Sequence, residues 1–407
     1  MRHRFCDVRV IDGIADAPLE HRDIVIDGDR IVAIEAHAPH DPVAGETVVP
    51  GAGRTLLPGL IDAHAHYTFD PTEGSLQAIA RRSDAAILER AAIHAGRALR
   101  AGVTTARGAG SIRGLELVLR DRIAAGTVAG PRIVAAGTAV GAPDGHGAAF
   151  GLGASGAAAL GAAVRSVIEA GADVVKAVAS EAAMLTTTGH EPGRMVHGAP
   201  ELTVDELRAI VAAARAAGVR VMSHAQDGES VRRSVVAGVT SVEHAWLADR
   251  AAIEAMAEAG TWLVPTLVVT DVNRTLDGLT PVQRERQDLI ERRHRASTEA
   301  AIGAGVPIAT GTDTGEVGVT ADMVWREIAL LVEHGATAMQ ALRAATSSAA
   351  RLLGVDHEVG TIEVGRQADL VLVEGDPLAD PGRLAAPVMV MQLGRVVADR
   401  GSTPMSA

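Results

Sequence analysis

The stretch GLIDAHAHYT, residues 59–68, places two histidines directly after an apolar strand. Side chains two positions apart in a strand point to the same side, so His64 and His66 can reach one metal ion. An HxH pair alone is a weak signal, because a single histidine at a strand end more often caps or supports other groups. A metal site is therefore predicted only if other strands place further ligand residues beside this pair.

Downstream of this stretch, short β-branched runs alternate with Ala-rich helical segments such as TVDELRAIVAAARAAG, up to about Leu353. Seven or eight strand–helix units predict an α/β fold, a parallel (β/α)8 barrel of the TIM type. The predicted strands are GVTTARG (102–108), PRIVAAG (131–137), ADVVKAVAS (172–180), VRVMSHA (219–225), VTSVEHA (239–245), TWLVPTL (261–267) and VPIATGTD (306–313).

The two ends of the chain have a different pattern, in which apolar and polar residues alternate and Asp-Gly pairs mark the turns. This pattern covers the first 56 or so residues and returns at 360–377 and 386–401. We expect both ends to form one small β-sandwich. The predicted domains are residues 1–56 plus 355–407 for the sandwich and 57–354 for the barrel.

Four more polar residues stand at the ends of predicted strands, and the carboxyl ends of barrel strands form the active-site face. They are Lys176, His224, His244 and Asp313. Imidazole and carboxylate groups suit zinc and similar metals. Asp313 in GTDTG also fits an ordinary turn, but the conjunction of all these residues predicts a metal site.

Lys176 is the only lysine, since the other 37 of the 38 basic residues are arginine. An unmodified ammonium is a poor metal ligand. A desolvated amine can instead react with CO2 to give a carbamate that bridges two metal ions, and a guanidinium cannot. The alternative is a buried or salt-bridged strand lysine.

Together, LPGLIDAHAH, VVKAVAS, SHAQ, SVEHA and GTDTG resemble the amidohydrolase superfamily, most closely its imidazolonepropionase-related, prolidase-like branch. The resemblance covers nearly the whole chain and implies two divalent metal ions, for which we expect Zn²⁺. It assigns His64, His66 and Asp313 to the more buried ion, His224 and His244 to the other, and a CO2-derived carbamate on Lys176 to both.

The same resemblance implies a binuclear metal-dependent amidohydrolase that cleaves an amide bond by attack of a metal-bridging hydroxide. The substrate would be a dipeptide, an N-acyl amino acid or an aryl amide. Asp313 would carry the proton, and His146 in PDGHGAAF would polarise the substrate carbonyl. Gln226, where some relatives have Tyr, and Tyr67, directly after the HxH pair, are further candidates for substrate binding.

Three alternatives remain open at this point: a cyclic amide or ureide hydrolase, a heterocycle deaminase, and a non-catalytic small-molecule binder on an inactive barrel. Deaminases of the superfamily typically use one metal ion and no bridging lysine, so Lys176 counts against them. The 181–200 loop, with His190, Arg194 and His197, is either a solvated lid or part of a pocket.

Composition narrows the classes further. A chain of 407 residues with 47% hydrophobic and 22% charged residues is not intrinsically disordered. Its net charge of -12 and 2% aromatic content argue against a nucleic-acid partner. Cys6 stands alone, which excludes an intramolecular disulfide. With no signal peptide or membrane-spanning stretch, we expect a cytoplasmic protein without a membrane partner, and the resemblance implies a homo-oligomer.

Overall fold

The computed structural model describes residues 1–41, 43–73, 76–182 and 199–401, which form a mixed α/β structure. Its strands are β1 (Arg2–Val10), β2 (Leu19–Asp27), β3 (Arg30–Ala36), β4 (Glu46–Pro50), β5 (Arg54–Pro58), β6 (Leu60–Ala65), β7 (Val103–Gly108), β8 (Arg132–Val134), β9 (Ala139–Gly141), β10 (Gly151–Gly153), β11 (Val174–Val178), β12 (Arg220–Asp227), β13 (Ser241–Leu247), β14 (Trp262–Val264), β15 (Leu370–Glu374), β16 (Met389–Gln392) and β17 (Arg395–Asp399).

The helices lie mainly between the central strands. They are α1 (Leu76–Ala80), α2 (Asp84–Arg100), α3 (Leu115–Ala124), α4 (Ala157–Glu169), α5 (Val204–Ala216), α6 (Gly228–Ala237), α7 (Arg250–Ala259), α8 (Leu267–Asn273), α9 (Pro281–Gly303), α10 (Val324–Glu333), α11 (Ala338–Ala344) and α12 (Ser347–Leu353). Short 3₁₀ helices cover Ile112–Gly114, His146–Ala149 and Pro381–Ala385. No described helix has the length and apolar composition needed to cross a membrane.

Strands from both ends of the chain share one sheet. Its order is β17-β16-β15-β5-β1-β2-β3, and β4 pairs with β1. The junction is the antiparallel pair of β5 with β15, in which Thr55 faces Val373. A separate apolar core fills this part, with Phe5, Leu56 and Leu370 buried together. The folding of this sheet into a sandwich and the division into two domains stay predictions.

The central strands pair in parallel. One series runs β6-β7-β8 and the other β10-β9-β11-β12-β13-β14. The carbonyl of Ala135, just after β8, accepts a hydrogen bond of 2.7 Å from the amide of Asp173, just before β11. Parallel bridges join Leu263 to Ile308 and Ala65 to Thr314, so the series returns to β6. The predicted strand at 306–313 is thus represented only by isolated bridges.

Gly311 shows why this segment approaches β6 so closely. A Cβ atom at this position would lie 2.7 Å from the Cβ of His64 and 2.4 Å from a methyl carbon of Val264. Contacts this short are not tolerated in a packed interior. Glycine therefore lets the segment before Asp313 lie directly against the strand of the HxH pair.

The helices pack by apolar faces that the sequence pattern predicts. Helix α5 begins with a capping box between Thr203 and Glu206 and buries Leu207 and Ile210 against the central strands. Burying one such side chain stabilises the fold by about 1.5–3 kcal/mol. These helices fix the strands from outside and leave the strand ends free for other side chains.

Residues 141–161 contain a 3₁₀ helix with His146, the short β10, and the start of α4 at Ala157. Helix α4 forms although this stretch is rich in glycine, because Leu160 and Val164 have helical spacing and are buried on one face. Of the 181–200 loop, residues 183–198, with His190, Arg194 and His197, lie outside the described residues.

Candidate metal centre

Eight of the nine predicted site residues line one cavity at the end of the parallel strands: His64, His66, His146, Lys176, His224, Gln226, His244 and Asp313. Tyr67 does not line this cavity. Its ring packs into the apolar core at 3% exposure, and its hydroxyl has no hydrogen-bond partner among the described residues. The structure thus brings eight of the nine candidates together in one cavity and places Tyr67 outside it. The roles of these residues stay predictions.

The positions along the strands differ slightly from expectation. Lys176 was predicted to end its strand but lies in the middle of β11, and β12 and β13 continue past His224 and His244. Strand length depends on hydrogen bonds to neighbours, and β11 pairs with β12 through Val178 and His224. The side chains still converge, since they share the inner side of the same parallel series.

His64, His66 and Asp313, here called the inner group, form the tightest cluster. One ligand atom from each lies within 4.8 Å of the others. The Oδ1 atom of Asp313 is 3.3 Å from His64 Nε2 and 3.4 Å from His66 Nε2. All three side chains are buried. Two imidazole nitrogens and a carboxylate oxygen that converge in this way are a suitable donor set for a divalent metal.

Buried hydrogen bonds orient the inner group from behind. His64 Nδ1 lies 2.8 Å from Glu243 Oε2, and His66 Nδ1 lies 2.8 Å from the carbonyl oxygen of Gly110. In both rings Nε2 is thereby directed to the cavity. Burial lowers the pKa of His66 to about 3, so this imidazole is neutral and can donate a lone pair at neutral pH.

Glu243 is itself held by Arg107. The guanidinium Nη2 is 2.9 Å and 3.0 Å from the two carboxylate oxygens, and both side chains are almost completely buried. Arg107 also donates to the carbonyl of Ala63 at 2.7 Å. Burial alone would raise the pKa of Glu243, but the charge of Arg107 and the hydrogen bond with His64 lower it to about 2. Glu243 is therefore a permanent carboxylate behind His64.

His146, His224 and His244, here called the outer group, have fewer supports. The ring centroids are 4.7 Å apart for His146 and His224 and 4.6 Å for His224 and His244. His244 Nδ1 hydrogen-bonds to the hydroxyl of Thr266 at 2.9 Å. Burial lowers the pKa of His224 and His244 well below the ordinary value and that of His146 to about 4. All three rings are therefore neutral at pH 7.

Lys176 lies between the two groups and is 2% exposed. Its Nζ atom is 3.4 Å from His64 Nε2. Burial lowers the pKa of Lys176 to about 8, although the carboxylates of Glu243 and Asp313 oppose this shift. The neutral amine, which is the form that can react with CO2, is therefore more populated at neutral pH than in an ordinary lysine.

The backbone is strained at three points of the centre. His244, Thr266 and Asp313 have φ angles of 72°, 57° and 58°, in the left-handed region that non-glycine residues seldom occupy. Such residues cost on the order of 1–3 kcal/mol each and persist only where the surrounding structure enforces them. Their clustering at one cavity is typical of a functional site.

The inner group fits one metal ion, and the second ion stays a prediction. Beyond the inner group, the buried Nε2 atom of His224 has no hydrogen-bond partner among the described residues. An unpartnered buried nitrogen is unfavourable unless another group, such as a metal ion, uses its lone pair. His224 and His244 would therefore serve a second ion beside the one held by the inner group.

Three residues of the site escaped the sequence analysis: Arg107, Glu243 and Glu316. Glu243 directly precedes His244 in a strand with no polar alternation, so its charge there indicates a buried partner. Arg107 carries the same signal in the buried strand β7. Glu316 lines the cavity three residues after Asp313, in the turn that follows GTDTG.

Comparison with known proteins identifies relatives over almost the full length. Residues 55–397 match the amidohydrolase family. Ochratoxinase from Aspergillus niger is 29% identical over 400 residues, which cover 89% of this chain and 79% of that protein. The match to the family confirms the resemblance that the motifs indicate.

Solved structures give the same result in three dimensions. A crystal structure of a Xaa-Pro dipeptidase with methionine bound in its active site has a TM-score of 0.86 and 29% identity and covers 97% of this chain and 99% of that one. A prolidase complexed with N-methylphosphonate-L-proline has a TM-score of 0.85 and 29% identity, and covers 98% and 100%. The fold is of the TIM-barrel type seen in these neighbours.

Proposed function

The chain belongs to the amidohydrolase family and is a hydrolase of carbon–nitrogen bonds, and on this premise we propose that it cleaves the amide bond of a small molecule with the help of two divalent metal ions. The proposed substrates are dipeptides, N-acyl amino acids or aryl amides. The observation that carries the proposal is the approach of Asp313 to His64 and His66 at 3.3 Å and 3.4 Å, beside the only lysine of the chain.

The proposed architecture around the centre is a closed (β/α)8 barrel. The parallel pairings from β6 through β14, the hydrogen bond between Asp173 and Ala135, and the bridges at Ile308 and Thr314 support this closure. In such a barrel the catalytic side chains stand at the carboxyl ends of the strands. His64 is the second-last residue of β6, and His224 and His244 lie three residues before the ends of β12 and β13.

Asp313 is the proposed proton carrier. Burial opposes its ionisation, but the charges and hydrogen bond contributed by His64, together with His66 and Lys176, hold the pKa of Asp313 well below its usual range. It is therefore a carboxylate at neutral pH, able to accept the proton of the attacking water. Two zinc ions, when bound, would lower the pKa of that water and polarise the substrate carbonyl. Asp313 would then return the proton to the leaving amine.

His146 is the proposed donor to the substrate oxygen. Its ring lines the cavity beside His224, and its backbone amide is fixed by a hydrogen bond of 2.7 Å to Glu201. Because burial lowers the pKa of His146 to about 4, the ring is neutral and offers one N–H at pH 7. A positioned donor of this kind stabilises the charge that develops on the carbonyl oxygen.

Lys176 is the proposed carbamate. Its ammonium would lose one proton, and the neutral amine would form an N–C bond with CO2 and release a second proton. A cation among the metal ligands would thereby become a carboxylate. The burial of its amine against His64 supports this role.

The test combines metal content with substrate preference. Zinc-loaded protein should hold two metal equivalents by elemental analysis and hydrolyse members of a panel of Xaa-Pro and other dipeptides, N-acyl amino acids and aryl amides. Lys176→Arg, which keeps the charge, should lose the second equivalent, whereas the reverse exchange Arg250→Lys on the 91% exposed side chain of α7 should not. One equivalent in the native protein, or activity confined to cyclic ureides or heterocyclic amines, would contradict the proposal.

A further inference from the structure

The cavity has apolar walls and a small polar lining. The walls are formed by Phe69, Leu76, Phe150, Trp246 and Val269. Its polar lining, apart from the inner group, the outer group and Lys176, consists of Gln226 and Glu316 among the described residues. A substrate seated over the centre therefore meets Glu316 as the one charged side chain that the proposed chemistry does not use.

Glu316 stands on a rigid turn. Its amide donates to the carbonyl of Asp313 at 3.2 Å, and the amide of Val319 donates to the carbonyl of Glu316 at 2.9 Å. The preceding Gly315 has φ +106°, and a Cβ atom there would lie 2.5 Å from the carbonyl oxygen of His66. The turn is therefore pinned against the strand of the HxH pair, and this fixes where the carboxyl group enters the cavity.

The side chain of Glu316 has no hydrogen-bond or ion-pair partner within the described ranges. A carboxyl group that faces the cavity without a partner is a poor neighbour for a second anion and a good one for a cation, which would form a charge-assisted hydrogen bond with it.

The balance of charge in the cavity points the same way. Of the described lining residues, Lys176 is the sole lysine or arginine, and its amine already lies against His64. A substrate carboxylate thus finds no unassigned cation among these residues, whereas a substrate ammonium finds Glu316.

Building on the proposed function, we infer that Glu316 is a specificity-determining residue that binds a protonated amine of the substrate. The preferred substrates would then be amides that carry a free ammonium group together with an apolar or aromatic side chain, such as aminoacyl amides with an unblocked amino terminus. N-acylated amino acids, which lack that cation, would be poorer substrates.

The kinetic test uses a matched pair of substrates, L-phenylalanine 4-nitroanilide and its N-acetyl derivative, with zinc-loaded protein. A hydrogen bond to a charged group supports a preference of about 10- to 100-fold in kcat/KM for the free amine. Glu316→Gln, which keeps the size of the side chain, should reduce this ratio to near one, with the larger loss of kcat/KM on the free amine. The exposed Glu299→Gln is the matched control.

A binding measurement separates this inference from the proposed function. By calorimetry, 2-phenylethylamine should bind the zinc-loaded protein at least tenfold more tightly than the neutral 2-phenylethanol, and Glu316→Gln should abolish the difference. Both variants should keep the native zinc content and melting temperature. A preference for the acetylated substrate, or an amine preference that survives Glu316→Gln, would overturn the role of Glu316. If the native zinc-loaded protein hydrolysed no amide but still preferred the amine, the proposed function would be contradicted and the role of Glu316 would stand.

Discussion

The inner and outer groups of the centre are built from the same residue type but are supported very differently. In the inner group, His64 and His66 each bond through Nδ1 to a buried acceptor at 2.8 Å, and one acceptor, Glu243, is paired in turn with Arg107. In the outer group, His244 has the hydroxyl of Thr266, while the buried Nε2 of His224 is without a partner in the described chain.

The difference indicates two degrees of preorganisation. Ligands that are oriented from behind by buried charges hold one geometry, since rotation of a ring would leave a carboxylate or carbonyl unsatisfied. Ligands with a single neutral hydrogen bond can adjust at small cost. We therefore expect the inner group to bind its ion first and more tightly, and the outer group to change most when substrates differ.

Asp313 connects the two groups, because it lies 3.3 Å from His64 and 3.8 Å from His244. Asp313→Asn should reduce kcat by about a thousandfold or more, since an amide cannot carry the proton between water and leaving group. Zinc content, measured by elemental analysis, should stay near native. The exposed Asp205→Asn provides the control. A kcat near the native value would exclude the proton-carrying role.

Glu243→Gln should weaken the inner group specifically. The amide cannot balance the buried charge of Arg107, which should cost about 3–5 kcal/mol of unfolding free energy. Because His64 loses its bond to the carboxylate of Glu243, the affinity for the first zinc ion should fall by about 10- to 100-fold. Urea denaturation and zinc titration against a competing chelator measure the two effects, with exposed Glu254→Gln as the reference. Unchanged zinc affinity would show that His64 needs no support.

Acid should destabilise the metal-free protein through one histidine of each group, His66 of the inner group and His146 of the outer group. Folding lowers the pKa to about 3 for His66 and about 4 for His146, from 6.5. The unfolded chain thus binds more protons below pH 6.5, and the unfolding free energy of the metal-free protein should fall by about 1.4 kcal/mol per pH unit for each such histidine.

Denaturation by urea between pH 7 and pH 4.5 measures this slope. His66→Gln and His146→Gln should each reduce it, whereas His357→Gln at an exposed position should not. Protonation of Glu243 lowers the unfolding free energy further only below about pH 4.5, as the pH falls towards the folded pKa of Glu243, which is about 2. A slope that is the same in all three variants would contradict the assignment to these two rings.

Thr266→Val should have the smallest effect. Valine keeps the branched shape, so the strained φ of 57° is unchanged and only the hydroxyl that bonds His244 is lost. One neutral hydrogen bond contributes about 0.5–1.5 kcal/mol. We expect a two- to tenfold weaker second zinc equivalent with the first unaffected, as read by stepwise titration. A loss confined to the first equivalent would reverse the assignment of the two groups.

The residues that the sequence predicted share a local signal. His64 and His66 are two apart in one strand, and His224, His244 and Asp313 follow apolar runs that alternate with helices. Period and spacing are properties of a short segment and survive folding unchanged. The mixed α/β fold could be predicted for the same reason, whereas the family followed from the resemblance of the short motifs to a known superfamily.

The residues that the sequence did not predict depend on register between distant strands. Arg107 meets Glu243 across 136 positions, and no local pattern fixes which strand residues face each other. Tyr67 was misplaced because its side chain enters the core one residue beyond the HxH pair. Glu316 escaped because its importance depends on the shape of a turn, which Gly315 and Val319 determine through their hydrogen bond.

The pairing of β5 with β15 has a consequence for biosynthesis. Thr55 bonds to the carbonyl of Gly375, 320 residues later, so a nascent chain exposes the apolar edge of β5 until β15 has left the ribosome. Unpaired strand edges readily pair with other chains, and contacts of such range form slowly. Because β6 with its HxH pair directly follows β5, we expect chaperones to shield this part of the nascent chain until β15 is translated.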